Sequence, residues 1–228
     1  MSASLRLIVF DVDGTLVDSQ ADILGAMTTA FESVALPVPP RAAILSIVGL
    51  SLDVAMLRLA PDQPAPLRDA LVAAYKHAYM TDRMKGDTTL TSPLYPQARE
   101  VLEALRDVPE NILGVATGKS LRGLEALIAS HGLEGMFTTR QVADHHPSKP
   151  HPSMLLAALR ETGVDPAQAV MIGDTSYDME MARAAGIRAI GVSWGYHPAS
   201  ALAALADHVV DSFADLPARL DDLWRMPA

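Results

Sequence analysis

Leu5-Arg6-Leu7-Ile8-Val9-Phe10-Asp11-Val12-Asp13-Gly14-Thr15 is the stretch on which the fold turns. A short apolar run, partly β-branched, halts at two acids, a glycine and a threonine. That pattern predicts a buried strand over Leu5 to Phe10 that empties into a polar loop. Chemistry is expected at the carboxyl end of that strand.

Downstream of this strand the pattern changes. From Ser19 to about Lys85 apolar residues recur at helical spacing, first Ile23, Leu24, Met27, Ala30, Phe31 and Val34, then Leu67, Leu71, Ala74, Tyr75 and Ala78. Proline-rich breaks at Pro37-Val38-Pro39-Pro40 and from Pro61 to Pro66 divide this all-helical insertion, and Lys85 to Pro96 reads as its exit linker. Past Pro96 helix and strand alternate. Helices are predicted over Gln97–Asp107, Leu121–Ser130, Pro152–Thr162, Tyr177–Ala185 and Ala199–Ala206, and strands over Ile112–Ala116, Phe137–Val142, Ala169–Ile172 and Arg188–Val192. Such alternation implies an α/β fold, a doubly wound, Rossmann-like parallel sheet with helices on both faces. Residues 1–17 and 86–228 are expected to form this core, and 18–85 a small helical domain inserted in it.

Every polar cluster follows a predicted strand. Asp11, Asp13, Gly14 and Thr15 follow the first, Thr117, Gly118 and Lys119 the second; Lys149 lies beyond the third, and Gly173, Asp174 and Asp178 follow the fourth. Parallel strands put their carboxyl ends along one edge, so these loops are expected to meet in one crevice. The assembled groups suit phosphoryl transfer, which needs a nucleophile, a proton donor for the leaving group, a hard cation and fixed donors around the phosphoryl oxygens. Asp11 is the candidate nucleophile and Asp13 the candidate acid, with Gly14 allowing the chain to turn sharply. Asp11 and Asp174, joined by the Asp13 carbonyl, suit Mg²⁺. Thr117 and neighbouring N–H groups would hold phosphoryl oxygens, and Lys149 would neutralise charge. Gly14, Thr15, Gly118 and Lys119 complete the expected substrate contacts.

Taken together, Asp11-Val12-Asp13-Gly14-Thr15, Ala116-Thr117-Gly118-Lys119, Lys149-Pro150 and Gly173-Asp174-Thr175-Ser176-Tyr177-Asp178 resemble the motifs of the haloacid dehalogenase superfamily, in its phosphatase branch. The resemblance spans essentially the whole chain, the helical insertion being similar to the family's C1-type cap. It implies a Mg²⁺-dependent phosphomonoester hydrolase that works through an aspartyl-phosphate on a small phosphorylated metabolite, with 2-phosphoglycolate as the first expectation. The second acid, Asp13, separates phosphatases and sugar-phosphate mutases from dehalogenases, so a mutase or pyrophosphatase stands as the alternative. A catalytically silent binding protein is the alternative of another class. Gly49-Leu50-Ser51 resembles the substrate-facing cap loop, which makes Gly49 and Ser51 substrate contacts, and Arg58, Lys76, Arg83 and Lys85 are the candidates for a substrate carboxylate.

Composition narrows the remaining classes. The 228 residues are 50% hydrophobic and carry a formal net charge of -9, and no basic run is present, which argues against nucleic acid or anionic lipid as partner. No stretch approaches a membrane span. The absence of cysteine removes disulfides and thiolate chemistry and fits a cytoplasmic protein; separately, a monomer or homodimer is expected. Gly114-Val115-Ala116-Thr117-Gly118-Lys119-Ser120 is one residue short of a nucleotide-binding P-loop, having three residues between its glycines where that motif needs four. His145 and His146 lack the spacing of a helical metal pair and read as solvated loop residues. Trp194-Gly195-Tyr196 reads as packing at the rim of the site.

Overall fold

The computed structural model describes residues 4–85 and 88–225, with residues 82–85 and Thr88 described by backbone only. In chain order the elements are β1 (Arg6–Phe10), α1 (Gln20–Ser33), α2 (Arg41–Leu45), α3 (Leu52–Leu59), α4 (Ala65–Lys85), α5 (Thr88–Thr91), α6 (Ala98–Arg106), β2 (Asn111–Thr117) and α7 (Leu121–Ser130). There follow β3 (Thr139–Val142), α8 (Ser153–Thr162), β4 (Ala169–Gly173), α9 (Ser176–Ala185), β5 (Arg188–Val192), α10 (Ala199–Ala203), β6 (His208–Val210) and α11 (Leu216–Arg225).

All six strands form one sheet in the order β3-β2-β1-β4-β5-β6, and each neighbouring pair is parallel. The strand side chains show why. Ile8 and Phe10 of β1 pack into one apolar cluster with Val170 and Ile172 of β4. Leu7 and Val9 pack into a second cluster with Ala169 and Met171. With a side-chain period of two, a strand apolar at every position must be covered on both faces, and only helices on both sides can do that. Helices α6, α7 and α11 bury Leu102, Leu124 and Leu220 in the first cluster, while α8 and α9 bury Leu155 and Met179 in the second.

The insertion α1–α4 has its own apolar cluster, in which Ile23, Met27 and Phe31 of α1 join Met56 of α3 and Leu71 of α4. Chain order reverses at β1, which lies between β2 and β4, and the crevice outside the carboxyl ends of these central strands is where ligands bind in such sheets.

Three features depart from the sequence expectations. The segment read as an exit linker contains a helical turn, α5, and its end is tied down, since Ser92 Oγ and Thr91 Oγ1 both donate to Asp22 Oδ2 of α1 at 2.6 and 3.1 Å. Strand β6 has only three residues, too few to show alternation, and α11 was not expected at all, although its buried Leu216, Leu220 and Leu223 sit at helical spacing. Among the described residues no helix is long and apolar enough to cross a membrane.

Candidate active site

Asp11 is the first residue past β1, and its N–H donates to the Ile172 carbonyl of β4 at 2.9 Å, which holds the residue over the switch point. Its side chain is fully buried. The Lys149 ammonium lies 2.9 Å from Oδ1, and Oδ2 takes no hydrogen bond among the described residues. Lys149, itself 1% exposed, also donates to Asp178 Oδ1 at 2.6 Å. Asp178 Oδ2 closes a capping box at the start of α9, where it accepts from Thr175 N at 3.1 Å and Thr175 Oγ1 at 2.7 Å.

Asp174 follows β4 and is held from two sides. Thr15 Oγ1 donates to Oδ1 at 2.8 Å, and the Tyr196 N–H donates to Oδ2 at 2.9 Å. Two glycines permit this approach. A Cβ on Gly14 would stand 2.3 Å from Asp174 Oδ2, and one on Gly195 would stand 2.2 Å from Asp174 Cβ. Gly14 also has φ of 86°, a region that side chains rarely adopt, so turn and approach both require glycine.

Asp13 points to a different set of partners. Its Oδ1 accepts from Ser19 Oγ at 2.5 Å and from Lys119 Nζ at 2.7 Å. Lys119 also donates to the Tyr79 hydroxyl of α4 at 2.9 Å, so one ammonium bridges the loop after β1 and the helical insertion. Ser19 in turn contacts the Tyr196 hydroxyl at 3.0 Å. Thr117 ends β2 beside Val142 of β3, is 1% exposed, and accepts at Oγ1 from the Lys119 N–H at 3.2 Å.

The insertion sits directly on these loops. A Cβ on Gly118 would lie 2.6 Å from the Leu50 carbonyl oxygen and 2.7 Å from that of Gly49. Ser51 N–H donates to Ser148 Oγ at 2.8 Å, one residue before Lys149. Farther out, Tyr177 OH donates to the Ser46 carbonyl at 2.9 Å and accepts from Arg58 Nη1 at 2.6 Å.

The sequence profile of the haloacid dehalogenase-like hydrolases matches residues 8–192. The chain belongs to that family, in its phosphatase branch. It is 36% identical over 215 residues to the "Probable phosphatase IndB" of Dickeya dadantii, covering 92% of this chain and 91% of the relative. It is 30% identical over 222 residues to the "Phosphoglycolate phosphatase" of Haemophilus influenzae, covering 95% and 98%. Among solved structures, a predicted phosphoglycolate phosphatase from Haemophilus somnus superposes with a TM-score of 0.82 at 26% identity, covering 96% of this chain and 99% of the other.

In this hydrolase family a cation is expected, and the donor set fits one. Asp11, Asp174 and Asp178 are all buried, and each offers a carboxylate oxygen within 4.8 Å of the others. Burial raises the Asp11 pKa from 3.8 to about 7, against the pull of Lys149 and with a further push from Asp178 and Asp13. Burial, then Asp11 and Asp178, hold Asp174 well above the usual carboxylate range. Lys149 is raised rather than lowered: burial alone would depress it, and the Asp11 and Asp178 charges outweigh burial. A hard cation would relieve this surplus of negative charge, and Asp11 Oδ2, which has no hydrogen-bond partner among the described residues, could serve as one of its ligands.

The structure brings Asp11, Asp174 and Lys149 into one buried cluster, with Gly14 and Thr15 packed against Asp174. Asp13, Gly118, Lys119, Gly49 and Ser51 line the adjoining cavity. Thr15 is wholly buried and directs its hydroxyl to Asp174, so its contact is with a carboxylate rather than the cavity. Of the residues expected to meet a substrate carboxylate, Arg58 is turned to Tyr177, Lys76 lines the cavity, and the side chains of Arg83 and Lys85 lie outside the described residues. His146 bonds Ser153 Oγ and Gln141 Oε1, both at 2.8 Å, as a structural histidine does. Sequence reasoning missed Ser19, Tyr79 and Ser148. Their partners lie 6, 40 and 97 residues away along the chain, and only the pair Asp13 and Ser19 is close enough in sequence to have been guessed.

Proposed function

We propose that this chain is a Mg²⁺-dependent phosphomonoesterase that works through an aspartyl-phosphate on Asp11, with α1–α4 as a cap that covers the site. The observation that carries the reading is the state of Asp11: a buried carboxylate at the switch point, ion-paired through Oδ1 to Lys149, whose Oδ2 has no partner among the described residues. A carboxylate needed only for stability would be fully bonded.

In the first step an Asp11 oxygen attacks phosphorus, the bond from phosphorus to the leaving oxygen breaks, and Asp13 gives that oxygen its proton. Water then attacks the phosphorus of the acyl-phosphate, Asp13 takes its proton, and the Asp11 carboxylate is restored as inorganic phosphate leaves. Asp11, Asp174 and the Asp13 carbonyl would hold Mg²⁺, which would supply Lewis-acid neutralisation of negative charge at the site. Thr117, at the end of β2, offers a hydroxyl to a phosphoryl oxygen, and Lys149 holds Asp11 in place. The Gly49–Ser51 loop excludes bulk water by lying against Gly118.

The names of the phosphoglycolate phosphatase relatives support 2-phosphoglycolate as one compound to test. The decisive measurement is phosphate release from a phosphomonoester panel with Mg²⁺, with EDTA, and with Asp11→Asn. Release that needs the metal and vanishes in Asp11→Asn is expected, with the variant's circular dichroism unchanged. A variant that retains wild-type turnover would remove Asp11 as nucleophile.

A further inference from the structure

Between the insertion and the core lies a cavity of about 770 Å³, with Asp13, Gly118 and Lys119 on the core side and Gly49–Ser51 across from them. We propose that this cavity receives a planar, uncharged ring on the leaving group, so that the substrate is a ring-bearing phosphomonoester rather than a small carboxylated one. The proposal rests on the phosphomonoesterase reading and goes on to the substrate class.

Size is the first argument. The compound 2-phosphoglycolate has nine heavy atoms; at roughly 30 Å³ per water-sized group it would fill about a third of the space. The walls are the second. Beyond the polar core side, the lining is dominated by Met27, Ile47, Leu52, Val72, Tyr75 and Met80. Water gains little from such walls, and an apolar body gains much.

The third argument is shape. Tyr75 and Tyr79, one turn apart on α4, both line the cavity and stack on each other with ring centroids 5.8 Å apart and planes inclined by 22°. A planar ring extends such a stack or meets its edge, at offset distances where aromatic pairs attract beyond simple area burial.

Among the described residues the cations argue against a carboxylate. Lys119 is committed to Asp13 and Tyr79, and Arg58 to Tyr177. Lys76 and Arg122 line the cavity but are exposed, and Asp53 and Asp144 line it as well. A substrate carboxylate paired with a cation so exposed would gain little.

The test uses matched pairs that differ by a ring and share a primary-alcohol leaving group: ethyl against 2-phenylethyl phosphate, and ribose 5-phosphate against uridine 5′-monophosphate, with 2-phosphoglycolate alongside. The ring-bearing member of at least one pair is expected to show a kcat/KM at least tenfold higher, and which pair responds tells a carbocyclic ring from a heteroaromatic one. Affinities of the same compounds for Asp11→Asn, measured by calorimetry, separate binding from chemistry. Tighter binding of the ring-bearing member without any hydrolysis by the wild type would uphold the ring site and remove the hydrolase reading. Equal affinities and equal rates within both pairs, or a preference for 2-phosphoglycolate, would overturn the ring site and leave hydrolysis standing. Tyr75→Leu is expected to bring the within-pair ratio down toward one and Tyr75→Phe to keep it. A ratio unmoved by Tyr75→Leu would count against the proposal.

Discussion

Gly118→Ala isolates the contact between the insertion and the core. The Gly118 backbone is not in the left-handed region, so alanine brings no conformational strain, and the whole effect is steric. The new methyl would meet the Leu50 oxygen at 2.6 Å and the Gly49 oxygen at 2.7 Å, both backbone atoms that no side-chain rotation can move. Restoring ordinary carbon–oxygen contact requires the Gly49–Leu50 loop to retreat by roughly 0.7 Å. Ser51 is tied to Ser148 from the same loop, so the displacement passes to the segment beside Lys149. Misplacement on this scale near reacting groups costs on the order of ten- to a hundredfold in rate. The expected result is a fall in kcat/KM of that size, measured by phosphate release. The melting temperature should fall by no more than about 4 °C: neither sheet cluster receives the methyl, and of the insertion's cluster only Leu50 and its immediate neighbours must shift. Activity within twofold of wild type would show that the loop does not lie on Gly118 in the working enzyme, and the cap argument would fall with it.

Two further outcomes follow from the buried charges. Lys149→Met leaves Asp11 and Asp178 without their shared ammonium and should destabilise the metal-free protein by about 3–5 kcal/mol; a denaturation midpoint in EDTA equal to wild type would contradict that pairing. In metal-free protein the protonated Asp11 contributes stability that is complete below its ordinary pKa of 3.8 and is lost as pH rises through about 7, an effect on the order of a few kcal/mol. Mg²⁺ competes with that proton, so the rise in melting temperature on adding Mg²⁺ should be larger at about pH 8 than at about pH 5; the reverse order would refute the assignment.

How far the sequence could be read depended on the range of the interaction. Asp11, Thr117 and Asp174 were legible because each ends a strand whose apolar run is local, and parallel pairing then brings the ends together without further information. Helix α1 was legible from the spacing of Ile23, Met27 and Phe31, all of which are buried. The contacts that orient the acids were not. Tyr196 reaches Ser19 across 177 residues, and Thr15 reaches Asp174 across 159, and no periodicity encodes such meetings. Lys119 shows the same limit at the level of role. Its type and place suit a phosphate contact, yet the structure commits its ammonium to Asp13 and Tyr79, a choice made by the packing of α4 against the loop after β2.

That commitment bears on how the site is balanced. Three buried carboxylates, Asp11, Asp174 and Asp178, face one buried ammonium, Lys149, while Asp13 is matched separately by Lys119. Had Lys119 joined the first group, the cluster would be closer to neutral and a cation would have less to gain there. Instead Lys119 draws Asp13 and Tyr79 together, so the candidate acid and the cavity's aromatic wall are held by one ammonium at the join between insertion and core. The buried negative charge is thus concentrated at Asp11, Asp174 and Asp178, and Asp13, the proton donor of the proposed mechanism, lines the cavity proposed for the leaving group. A ring seated against Tyr75 and Tyr79 would therefore press on the residue that holds Lys119 to Asp13, which ties recognition of the leaving group to the placement of its proton donor.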